Sequence, residues 1–165
     1  MPLIAPLAKS HFEGLRRVFD VIAREKHYLS FFMAPAAEDA YAFYRDILAH
    51  HDSHYVALHD NKVIAWCDVV RKQQAAMLHV GVLGLGVHPD YRRQGVATQL
   101  IQTAIAKAWE NGLTRIELTV RSDNWGAIAL YQQHGFVQEG LFQQGFSVDG
   151  EYFDVISMAL LAEQP

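Results

Sequence analysis

The 165-residue chain has a single cysteine, Cys67, so no disulfide can form within it. It sits in the apolar run "VIAWCDVV", where a buried, inert thiol is the expectation. A basic excess is missing too. Lys plus Arg number 14 against 18 Asp plus Glu, a net charge of -4, which argues against a polyanion-binding surface and against nucleic acid as a partner. The longest apolar run, "AAMLHVGVLGLGV", is interrupted by His79 and stays below the roughly 20 residues that span a bilayer, so no membrane partner is expected. The first residues, "MPLIAPLAKSHFEGL", carry no basic region followed by an apolar stretch and a cleavage site, which leads to the expectation of a soluble cytoplasmic protein. No repeat, low-complexity tract or Pro/Gly/Ser-rich linker divides the sequence, and one domain over residues 1–165 follows.

What is present is enough apolar material, 51% of residues, to bury a core. Phe12, Leu15, Phe19 and Ile22, then Tyr41, Tyr44, Ile47 and Leu48, recur at helical spacing. Between them lies "HYLSFFMAPAAEDA", aromatic and broken by Pro35. "HYVALHDNKVIAWCDVV" reads as two strands turning at Asp60-Asn61, and "AMLHVGVLGLGV" as a third, an antiparallel meander. Val96, Leu100, Ala104 and Ala108 predict a helix that ends at Asn111-Gly112. Then follow a strand, "TRIELTV", a short helix closed by Gly135, and a hairpin turning at Asp149-Gly150. The order strand, helix, strand around Val96 to Asn111 implies a right-handed crossover between two parallel strands, so the fold class is mixed α+β. Ligands in such sheets bind beyond the carboxyl ends of the parallel strands.

That end carries "GVHPDYRRQGVATQL". The first amides of a helix have no partner within it and, with the helix dipole, suit a phosphate. Arg92, Arg93, Gln94, Gly95, Val96, Ala97 and Thr98 cover this turn; Gly95 permits close approach, and Arg92 or Arg93 can add a charge-assisted bond. A solvated loop with its arginines in water is the alternative. Neither the three-glycine dinucleotide fingerprint nor a Gly-Lys-Ser/Thr P-loop is present.

Arg92-Arg93-Gln94-Gly95-Val96-Ala97 resembles motif A, R/Q-x-x-G-x-G/A, of the GNAT superfamily of acyl-CoA-dependent N-acyltransferases. Asn124, Ala127, Leu130, Tyr131, Gly135 and Phe136 are similar to its motif B, N-x-x-A-x-x-L-Y-x-x-x-G-F, in the right order and spacing. The resemblance runs over roughly Tyr55 to Leu160. It implies a mostly antiparallel twisted sheet of six to seven strands, one parallel pair splayed at the cofactor site, and about four flanking helices. Residues 1–54, a strand and helices, would form the acceptor side, and 55–165 the acetyl-CoA-binding core and closing hairpin. Arg92 to Thr98 would then hold the coenzyme A diphosphate, and the backbone around Leu85, Gly86 and Val87 the pantetheine amides. Asn124 and Ala127 would border the cofactor, with a plain helix cap as the other reading of Asn124. Tyr131 would give a proton to the leaving thiolate. A homodimer is possible on the same resemblance.

Acyl transfer to an amine also needs a base. Relatives often carry a glutamate on the strand before motif A, but Val82 and Leu83 stand there. His79, Glu117 and Glu25 are candidates by position, and a water-relayed base is favoured over any of them. On the acceptor side, Glu25, Tyr28 and Phe31, with Phe32 and Met33, would line a pocket or simply pack in the core. No acidic patch awaits a polycation, so a small amine or amino acid is the expected acceptor; a protein N-terminus or lysine, or a non-catalytic acyl-CoA-binding module, are the alternatives. His50, His51 and His54 lack nearby cysteines or carboxylate clusters, so no metal is expected and a helix end favouring imidazolium accounts for them.

Overall fold

The computed structural model describes residues 1–164. Its strands are β1 (Leu3–Pro6), β2 (Ser53–His59), β3 (Lys62–Arg71), β4 (Val80–Val87), β5 (Arg115–Arg121), β6 (Val137–Val148) and β7 (Glu151–Leu161). They join in one sheet of order β1-β2-β3-β4-β5-β7-β6. Four helices flank it: α1 (Phe12–Arg24), α2 (Ala37–His50), α3 (Val96–Glu110) and α4 (Trp125–Gln133). Every pairing is antiparallel except β4 with β5, the pair that α3 connects.

The pleat of β3 divides the core. Cys67 and Val69 enter one layer with Leu100, Ile101 and Ala104 of α3, and Tyr131 and Phe136 close that layer from the α4 side. Trp66 points the other way and packs with Leu15 and Ile22 of α1 and Tyr44 of α2. Because neighbouring side chains alternate between faces, a strand with both faces covered reads as a continuous apolar run. Asp68 is the one carboxylate in that run.

Two irregularities position the site. Asp60 and Asn61 both adopt positive φ, 49° and 61°, the two-residue turn that suits the twist of a hairpin. Leu58 then pairs with Val63, but a bulge at Ala57/Leu58 shifts the register, so Ala57 faces Ala65 and His54 faces Asp68. Across the next strand Asp68 faces Gly84. The second irregularity is between the parallel strands: β4 meets β5 only from Val80 to Val82, against Arg115 to Glu117. Beyond Val82 the strands diverge, and the β5-side edge of β4 from Leu83 to Val87 has no strand partner.

The third meander strand is shorter than its apolar run predicted. Residues 75–77 form a single 3-10 turn instead, and Arg71 donates to the Leu78 and Asn111 carbonyls, which pins the turn against the end of α3. The long segment after α1 is also anchored: Arg16 Nε donates to the Pro35 carbonyl at 2.8 Å, and the Ala34 amide donates to Asp20 at 2.8 Å. No described helix is long and apolar enough to cross a membrane.

Candidate active site

The start of α3 is built by its glycine. Gly95 is the N-cap in the left-handed region, φ 80°, with open space where a Cβ would stand. Arg93 also has positive φ, 59°. Among the described residues the amides of residues 93–98 make no hydrogen bond, and Arg93, Gln94 and Gly95 are exposed. A row of free N–H groups at the positive end of a 15-residue helix is an anion site. Gln94 turns its side chain back to the Asp90 carbonyl, 3.2 Å.

Arg92 does not join this site. Its Nε donates to the Val87 carbonyl at 2.9 Å, and its two terminal nitrogens grip the Glu25 carboxylate at 3.0 and 2.6 Å. The guanidinium also lies 4.4 Å from the centre of the Tyr28 ring. The fork of donors that was expected to reach a phosphate is filled by a bidentate carboxylate. Glu25 and Tyr28, expected against the acceptor, are therefore parts of a clamp that ties the segment after α1 to the end of β4.

At the other motif, the Asn124 side chain accepts from the Ala127 amide at 3.3 Å, capping α4. Tyr131 is buried, its ring 5.8 Å from that of Phe136. Among the described residues its hydroxyl finds no hydrogen-bond partner, and burial pushes the phenol well above its ordinary value, with Cys67 nearby adding to the effect. A phenol held protonated there can donate to a developing thiolate. On β4, a side chain at Gly86 would run into the Trp66 ring, which explains that glycine by packing. Leu85 and Val87 turn their side chains to the α3 core, and their backbone lies on the edge that β5 leaves free.

Beneath that edge, on the α1/α2 face, is a cavity of about 620 Å³. Phe19, Phe31, Phe43, Tyr44, Trp66 and Val82 belong to its apolar wall, and the residues Val82 to Leu85 form one side. Phe31 stacks edge-on against Phe19 at 5.5 Å. Of the four large side chains expected to line an acceptor pocket, Phe31 does so, joined by its neighbours Leu29, Ser30 and Pro35; Phe32 lies under Lys26, and Tyr28 and Met33 stay outside with substantial exposure.

Asp68 and His54 lie at this cavity, and neither was expected there. Asp68 is 9% exposed and His54 4%, with His54 Nε2 3.3 Å from Asp68 Oδ2. Burial holds the imidazole neutral, lowering its pKa to about 3. Without a cation against it, the carboxyl is pushed up to about 7 by burial, which the nearby Gly84 amide only partly offsets, and Asp52 adds a further upward push. The other buried charge, Arg121, is by contrast fully engaged: Asp123 meets it at 3.0 and 2.7 Å and Phe153 underlies it at 3.6 Å. In the sequence Asp68 is marked only by its isolation in an apolar strand, and the strand register alone sets His54 opposite it.

His54 is thus no part of a helix-end group. It lies in β2, and only His50 and His51 end α2, His50 contacting the Asp46 carbonyl and His51 in the left-handed conformation. Glu117 is held by Lys72 and by Arg115 at 3.0 Å, and these bonds keep its carboxyl below its ordinary value despite partial burial. A carboxylate so held is a poor proton acceptor. His79 is exposed just before β4, at the opposite end from the start of α3, and uses its carbonyl to accept from Thr114 and Arg115. Neither is brought to the cavity.

A family model described as "Acetyltransferase (GNAT) family" matches residues 18–136. Among relatives, the L-amino acid N-acetyltransferase AaaT of Escherichia coli is 35% identical over 106 residues, 63% of this chain and 65% of that one. The ribosomal protein bS18-alanine N-acetyltransferase of Escherichia coli is 31% identical over 87 residues, 53% and 59% of the two chains. The chain thus spans somewhat less than two thirds of the length of these two relatives. The yncA protein of Salmonella typhimurium, solved with its cofactor acetyl-CoA, superposes with a TM-score of 0.94 over 100% of this chain and 96% of its own at 15% identity, a likeness of fold.

Proposed function

Since the chain belongs to the GNAT acetyltransferase family, we propose that it moves an acetyl group from acetyl-CoA to the primary amine of an amino acid or other small molecule, by direct attack in a ternary complex. The observation that carries this reading is one of adjacency: the apolar cavity takes one wall from Val82 to Leu85, where β4 parts from β5 and leaves its backbone edge free. An acceptor in the cavity and a thioester along that edge would meet.

The residues fit the donor. The amides of Arg93 to Thr98 would hold its diphosphate, and the free edge of β4 from Leu83 to Val87 would bond its pantetheine amides as an added strand. Acetyl-CoA supplies an activated acyl group; the chain orients it. Tyr131 would offer its hydroxyl to the sulfur as a hydrogen-bond donor, and Asn124 and Ala127 hold α4 in place to do so. The volume of about 620 Å³ lies in the range of small-molecule pockets, and the surrounding apolar side chains favour an amino acid or amine with an apolar body over a protein N-terminus. The relative AaaT is named for L-amino acids, in keeping with this choice. A homodimer also fits, because β6 is an edge strand with Val137, Leu141 and Phe142 exposed. A thiol-release screen of acetyl-CoA against amino acids, simple amines and short peptides tests the proposal. Turnover confined to small apolar amines is expected; tight acetyl-CoA binding with no thiol release from any acceptor would leave a binding module and end the enzyme reading.

A further inference from the structure

The cavity floor raises a question that the cofactor site does not answer. A primary amine is mostly ammonium near neutral pH, since model amines titrate at about 8 to 10.4, and an ammonium has no lone pair with which to attack. Some group must take its proton. The candidates read from the sequence are engaged or distant: Glu25 is gripped by Arg92, Glu117 by Lys72 and Arg115, and His79 is exposed at the far end of β4. Asp39 lines the cavity from α2 but is exposed.

Asp68 is the only buried carboxylate among the described residues, and it opens on the cavity. Its position is specified from both sides. The β2–β3 register sets His54 against it, and the β3–β4 register sets Gly84 on the other side, where an added Cβ would come 3.0 Å from Asp68 Oδ1. The missing side chain at Gly84 therefore leaves the carboxylate uncovered toward the strand edge where a thioester would lie.

We propose that Asp68 is the general base of the acetyl transfer, its carboxylate taking a proton directly from the ammonium of an acceptor seated in the cavity, in place of a water relay. The inference rests on the acetyl-transfer reading. One proton passes from the ammonium nitrogen to an Asp68 oxygen and leaves to solvent when the product departs. The freed nitrogen lone pair forms the C–N bond to the thioester carbonyl carbon, the C–S bond breaks, and its electron pair goes to sulfur. The second proton shed by the attacking nitrogen balances the one that sulfur acquires. Overall, ammonium plus thioester give amide, thiol and one proton to solvent.

The surroundings suit this task. His54 of β2 is neutral and supplies no counter-charge. Tyr44 of α2 is uncharged, its pKa raised to about 12 by burial and by Asp68 itself. Asp52 contributes a negative charge, Cys67 turns to the opposite face, Arg71 is committed to carbonyl oxygens, and Lys72 to Glu117. A carboxyl near neutrality is matched to the working pH, as general-base catalysis requires.

The test is a pH profile of kcat/KM for the wild type and Asp68→Asn, with acetyl-CoA affinity by calorimetry and melting temperature as controls. In the wild type, kcat/KM should rise with pH through about 7, and the midpoint should stay there for an α-amine and an ε-amine acceptor, whose own values lie near 8 and 10.4. D68N should bind acetyl-CoA as before, lose roughly 100- to 10,000-fold in kcat/KM, and show a rise that follows the amine's own titration. A D68N rate within threefold of wild type, or a wild-type midpoint that moves with the acceptor, overturns Asp68 as base while leaving acetyl transfer standing. No turnover by the wild type with any amine overturns acetyl transfer, and this inference with it. If D68N does not fold, the two-acceptor comparison on the wild type still decides.

Discussion

Replacing Asp68 by asparagine should slow the enzyme and make the folded chain more stable above neutral pH. The carboxyl has an ordinary value of 3.8 and burial lifts it to about 7, so between these values the folded chain keeps a proton that the unfolded chain has lost. The stability from this group is complete below about 3.8 and is lost as pH rises through about 7. Each pH unit in that window is worth about 1.4 kcal/mol, so the ionised carboxylate costs on the order of 4 kcal/mol at pH 8. His54 acts in the opposite direction. Burial, aided by His11, takes its value from 6.5 to about 3, so its contribution is present above about 6.5 and declines as pH falls. In the wild type the two slopes oppose each other between about 4 and 6.5.

Asparagine has nearly the shape of aspartate and no charge, so D68N keeps the histidine slope and loses the carboxylate's. The difference in unfolding free energy between variant and wild type should therefore widen by about 3 kcal/mol from pH 5 to pH 8, or roughly 6–12 °C in Tm for a chain of this length. Comparing the two pH values removes the contribution of the amide's own pairing with His54, which does not titrate with Asp68. Urea unfolding followed by tryptophan fluorescence at unit steps of pH measures it, and Trp66 beside the cavity reports the transition. A gap that stays constant with pH, or that narrows toward pH 8, would refute the reasoning, because it would mean that the carboxylate has a stabilising partner.

Gly95→Glu should weaken acetyl-CoA binding by about 100-fold or more, since a carboxylate would face the diphosphate across open space; unchanged affinity by calorimetry would remove the α3 amides from the donor site. Tyr131→Phe should lower kcat by roughly tenfold with acetyl-CoA affinity within twofold, the signature of an interaction made only as sulfur gains charge; equal rates would reduce Tyr131 to packing. Glu25→Gln should raise the acceptor KM by several-fold, because the clamp on Arg92 positions the segment that carries Phe31, and leave acetyl-CoA affinity unchanged. A tighter grip on acetyl-CoA in that variant would mean that Arg92, once released, reaches the phosphate after all.

Much of this protein was legible because much of it is local. The start of α3, the Asn124 cap, the Asp60-Asn61 and Asp149-Gly150 turns and the α1 stripe depend on residues within a few positions of one another, where side-chain chemistry and backbone conformation decide alone. The two motifs, some thirty residues apart, led to the fold and to the donor. The sequence points Glu25 and Arg92 toward different ligands, for they are 67 residues apart and only packing shows that each is the other's partner.

The sequence by itself determined the family, the order of elements and the helix start that would hold the donor's phosphates. Tertiary structure alone decided which carboxylate opens on the cavity. Counting back from the Asp60-Asn61 turn in unbroken register sets Cys67 opposite His54, and Cys67 belongs to the α3 face. The bulge at Ala57/Leu58 moves the pairing by one residue and brings Asp68 there instead. Since successive strand residues point to opposite faces, that single step is the difference between an inert thiol and a buried acid opposite the histidine.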